Sequence, residues 1–130
     1  MRYMVMTYGD QSAWDALGGG GAAPMSEEEI AAHFAAMQAF QEELKATGEL
    51  VAAFGLAGPT RSQVVEVHGG LPVVSDGPYA EAKEVLAGFA VIEVNGHDRA
   101  VELSGRFAEI VGTRVELRPV EGGAVPGHDG

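Results

Sequence analysis

Cysteine is absent from the 130 residues, which removes thiol nucleophiles, thiolate metal sites and disulfide staples together. Cations are scarce. Eight Lys and Arg stand against 19 Asp and Glu, a formal net charge of -11. That balance works against DNA, RNA and anionic membranes as partners, since all of them reward clustered Lys and Arg. No apolar run approaches ~18 residues, so no transmembrane helix is expected. The start, Met1-Arg2-Tyr3-Met4-Val5-Met6-Thr7-Tyr8, also lacks the long apolar core of a signal peptide. A cytoplasmic protein fits this reading best. The length suits one domain, which buries its core without staples.

What is present is well punctuated. Residues 2 to 8 are rich in Tyr, Val and Met on both faces, which suits a central strand. Gly18 to Gly21, followed by Ala22-Ala23-Pro24, break regular structure, so residues 18–25 read as a flexible Gly-rich insertion. Ser26-Glu27-Glu28-Glu29 has capping-box spacing, and Ile30, Phe34, Met37, Phe40 and Leu44 recur on one helical face. Gly48 after Thr47 is placed to stop that helix. Residues 49 to 56 are extended and apolar. Gln63 to Val67 and Leu71 to Val74 then flank His68-Gly69-Gly70, which predicts a hairpin. Residues 89 to 94 form a strand. A second helix starts near Asn95 and Asp98, buries Ala100, Leu103, Phe107 and Ile110, and ends at Gly112. Residues 113 to 118 alternate as a half-buried strand ending at Pro119, and residues 121–130 form a Gly-rich, disordered tail.

This order predicts an α+β domain over residues 1–120, a ferredoxin-like split β-α-β plait with an inserted β-hairpin. Two helices on one face leave the other sheet face to be covered, which predicts a homodimer.

Few side chains are available for chemistry. The tetraglycine has no Lys after it and meets three glutamates at the helix start, so it does not cradle phosphate. His33 falls on the apolar face of the first helix. It is either a core histidine with one hydrogen bond or a pocket acid or base tuned by burial. His68, His97 and His128 have no metal-ligand spacing with it or with each other, so no metal is expected. Ser75-Asp76-Gly77-Pro78-Tyr79-Ala80-Glu81-Ala82-Lys83-Glu84 is the densest segment. It reads as a punctuated turn with a solvated charge cluster, or as a loop presenting an acid, a phenol and an ammonium to one cleft.

The run from Asp76 to Glu84, with Leu86-Ala87-Gly88-Phe89, resembles the signature of the DGPF proteins within the YCII-related family, with Tyr79 where the motif has Phe. The Met1–Met6 strand, Gly48-Glu49-Leu50 and Val115-Glu116-Leu117-Arg118-Pro119 are similar too, so the resemblance spans residues 1 to 120. It implies a dimeric α+β barrel. Within that family one branch acts as a dehydrochlorinase, some members have a proposed His-Asp pair, and DGPF proteins accompany extracytoplasmic-function sigma factors. The resemblance therefore implies a small-molecule pocket and a cofactor-independent lyase or isomerase. There His33 is the base, Asp76 orients it, and Tyr79, Glu81 and Lys83 bind ligand. The alternative it implies is a non-catalytic module whose acidic surface meets a basic protein such as a sigma factor.

Overall fold

Ser26 caps the first helix as its spacing predicts. Its Oγ accepts from Glu29 N–H at 3.1 Å, and the Glu29 carboxylate accepts from Ser26 N–H at 3.3 Å. Three glutamates in the first turn face the positive end of the helix dipole. The helix ends at Gly48, whose φ of 80° lets its N–H reach the carbonyls of Leu44 and Lys45. A computed structural model describes residues 1–9, 26–77 and 84–127. Among these the elements are β1 (Arg2–Gly9), α1 (Glu27–Thr47), β2 (Leu50–Gly55), a 3-10 turn (Pro59–Arg61), β3 (Gln63–His68), β4 (Leu71–Asp76), β5 (Val85–Glu93), α2 (His97–Val111) and β6 (Val115–Pro119). Residues 18–25, expected to be a flexible insertion, lie outside the described residues, and residues 121–127 carry no helix or strand.

The main sheet runs β2-β5-β1-β6, all antiparallel. With the hairpin set aside, this is the strand order of the ferredoxin-like plait. Alternation along β1 and β5 sends Tyr3, Val5, Ala90 and Ile92 to the helices, where Phe40 and Leu44 of α1 meet Leu103 and Phe107 of α2. The opposite face carries Met4, Met6, Phe89 and Val91, with Phe54 of β2 against Phe89 at 5.7 Å between rings. Strand β2 comes very close to β5 at one point. A Cβ on Gly88 would sit 2.8 Å from the Phe54 carbonyl oxygen, so only glycine fits there without a backbone shift.

β3 and β4 form a separate two-stranded sheet. Gly69 and Gly70, at φ 59° and 80°, make the tight turn between them. Directly paired residues share a face, which puts Val65 beside Val74 and Val67 beside Pro72 on one side of this ribbon.

The expectation of a dimeric α+β barrel is overturned, because both sheets are open. Closure requires edge strands to find partners. β2 and β6 are edges of the main sheet and are only 6 and 5 residues long, and β6 stops at Pro119, which has no N–H to donate. The hairpin pairs with itself instead of extending either edge. The α+β class and the ferredoxin-like order with its inserted hairpin stand.

Candidate functional site

β1 ends where β5 and β6 begin, because both of its neighbours run antiparallel to it. Tyr8, near the end of β1, pairs with Leu86 two residues into β5, and Thr7 pairs with Val115 at the start of β6. This sheet end holds a cleft of about 340 Å³ lined by Tyr8, Glu84, Thr113, Arg114, Val115 and Glu116. Among the described residues, Val115 is its one aliphatic lining residue.

Two contacts organise the cleft. The Tyr8 hydroxyl donates to Glu116 Oε1 at 2.9 Å. That bond, reinforced by slight burial and by the glutamate charge, raises the phenol above its ordinary pKa and keeps it a donor. On the other side, one terminal nitrogen of Arg114 lies 3.3 Å from both Glu84 oxygens, at the outer limit of an N–H···O bond. Arg114 is 82% exposed in its side chain and Glu84 51%, so this is a loose, solvated pair. From the described residues the cleft thus offers two carboxylates, one guanidinium and one phenol in one depression. That arrangement can hold a small molecule by charge and hydrogen bonding, against a wall that is polar and apolar in comparable measure.

The residues singled out in the sequence fall in three places. His33 lies on α1, half-buried, its ring edge-on to Phe34 with centroids 5.6 Å apart. Asp76 is the exposed last residue of β4, paired through its backbone with Gln63. The structure makes no hydrogen bond or ion pair between His33 and Asp76. Tyr79, Glu81 and Lys83 lie outside the described residues, but the chain emerges from that segment at Glu84, on the wall of the cleft. Among the described residues no group of three or more His, Asp and Glu is placed to hold a metal ion. No described helix is long and apolar enough to cross a membrane.

Sequence reasoning missed Tyr8, Thr113, Arg114, Val115 and Glu116 as a group. The usable signal was the alternation from 113 to 118. It leaves Arg114 and Glu116 on the polar side of an edge strand, and Tyr8 brings a phenol to the end of the adjoining strand.

Two comparisons bear on identity. The family described as "YCII-related domain" matches residues 1–120. An uncharacterized protein of Rhizobium meliloti (strain 1021) is 30% identical over 104 residues, which is 80% of this chain and 77% of that protein.

Proposed function

The chain belongs to the YCII-related domain family, and from that premise we propose that it binds a small polar molecule in the cleft at the end of its sheet. The observation that carries this reading is convergence. Tyr8, Glu84, Arg114 and Glu116 come from three separate stretches of chain and line one depression. A concavity in which a few polar groups from distant segments converge beside apolar wall is a default ligand site.

The test is a screen of polar metabolites by amide chemical-shift mapping on the full chain. Compounds that bind are expected to move the amides of Tyr8, Glu84 and Thr113 to Glu116 together and to saturate. Shifts confined to other regions, or none across the screen, would sink the reading.

We also infer that two copies associate, through the hairpin ribbon. Val65, Val67 and Val74 are 61%, 71% and 55% exposed, and with exposed Pro72 they share one face. A lone two-stranded ribbon is marginal in water, and an exposed apolar patch favours a partner. At a net charge of -11 most surfaces of this chain repel their own copy, whereas these four positions carry no charge. Sedimentation velocity is expected to show a concentration-dependent dimer that Val65→Lys with Val74→Lys returns to monomer, with unchanged circular dichroism. A wild-type monomer at every concentration would refute it.

A further inference from the structure

The cleft carries both signs of charge, and this narrows what it takes. We propose that its ligand is a small zwitterion of the amino-acid class, with an ammonium toward Glu116 and a carboxylate toward Arg114. The inference rests on the reading of the cleft as a ligand site and adds the ligand's chemical class.

Arg114 immediately precedes β6 and Glu116 is its second residue, and both line the cleft. Along an extended chain that spacing is roughly 7 Å. Residues two apart on a strand share a face, so the α-ammonium and carboxylate of one small molecule can meet both side chains. Each protein group has capacity left. Glu116 accepts from Tyr8 on Oε1 only, which leaves Oε2 for an ammonium. Arg114 engages Glu84 through one terminal nitrogen at 3.3 Å, which leaves Nε and the other terminal nitrogen for a carboxylate fork. The Tyr8 bond also fixes the Glu116 carboxylate, so less rotamer freedom is lost on binding.

Ligands of a single sign fit worse. A carboxylate or phosphate alone meets two glutamates against one arginine, inside a chain whose net charge of -11 already repels it. An amine alone satisfies Glu116 but leaves the guanidinium with only its loose contact to Glu84. A zwitterion answers both groups and leaves the Arg114–Glu84 pair able to rearrange at little cost.

Three matched probes decide it: L-2-aminobutanoate, butanoate and butylamine, each titrated against the full chain by amide shift mapping. The zwitterion is expected to bind at least about tenfold more tightly than either single-sign probe. Arg114→Met and Glu116→Gln should each weaken it by about the same factor. Glu116→Gln keeps an acceptor for Tyr8, so its loss reports charge and not a collapsed site. Equal binding of butanoate or butylamine would overturn the class while leaving the cleft as a ligand site. The same holds if none of the three binds while another compound of the wider screen does. Failure of the whole screen at the cleft overturns the ligand-site reading as well.

Discussion

Phe107→Ala is expected to lower the unfolding free energy by ~3–5 kcal/mol, the usual cost of emptying a buried aromatic position. Phe107 is 3% exposed and meets Phe40 edge-on with ring centroids 4.6 Å apart, within the core that α1 and α2 share. The Arg106 guanidinium sits over the Phe40 ring, 4.4 Å from its centre, held there by a two-pronged bond to Glu43 at 2.8 and 2.6 Å. Truncation at 107 therefore removes a transfer term, leaves a cavity between the helices, and loosens a cation–π contact. Domains of this size hold only ~5–15 kcal/mol in reserve, so the variant would be close to unfolding at ordinary temperature. Urea denaturation should show a lower midpoint with an unchanged slope. Val101→Ala, on the same helix but 49% exposed, is the control and should change stability by less than ~0.5 kcal/mol. A Phe107→Ala loss as small as the control's would mean that the two helices do not share this core.

Local chemistry made most of this fold legible. The α1 start was readable because Ser26 and Glu29 satisfy each other's backbone donors within four residues, and the Gly69-Gly70 turn because two left-handed positions need two glycines. The α2 stripe of Ala100, Leu103 and Phe107 is buried as its spacing predicts, with Ile110 packed beside it. Phe34 departs from the pattern. It lies on the periodic face of α1 yet is 60% exposed, since burial depends on what stands opposite a face and periodicity reports only the face. The second helix starts at His97 behind Gly96, one residue past the expected Asn95 cap, within the ordinary uncertainty of helix ends. β5 begins at Val85, earlier than position 89, because Gly88 reads as a break when its bare Cα is what admits the Phe54 carbonyl.

The site was far less legible than the fold. Its six described lining residues come from position 8, position 84 and positions 113–116, and strand pairing brings them together. Periodicity within one element cannot show that. The segment from 76 to 84 drew notice through its turn chemistry, and of its two described carboxylates, Asp76 and Glu84, Glu84 lines the cleft. Barrel closure was not a property of the sequence pattern at all. It came from resemblance, while the open edges follow from two short strands and a terminal proline.

Acid should weaken this protein in a way that Glu49→Gln largely removes. Glu49 sits between α1 and β2, its side chain 15% exposed, where Arg99 of α2 donates Nε–H to Oε2 at 2.8 Å and a terminal N–H to Oε1 at 2.9 Å. Thr47 Oγ1 donates to Oε1 at 2.8 Å. These bonds, Arg99 foremost, hold the Glu49 carboxyl down at about 2, against an ordinary 4.5. Above the ordinary value the carboxylate is charged in both folded and unfolded chains, and the full stabilisation is present. As pH falls from there toward about 2, the unfolded chain takes up a proton that the folded one refuses, and this part of the stability is lost. A displacement of that size caps the contribution at ~3 kcal/mol, and solvent around the partly exposed partner brings the expected value nearer ~2 kcal/mol. Glu49→Gln keeps the shape and one acceptor but has no charge to titrate. Urea unfolding at neutral pH should therefore place the variant ~2 kcal/mol below wild type, with the gap closing toward zero near pH 2. A gap that stayed constant with pH would assign the loss to packing and not to the ion pair.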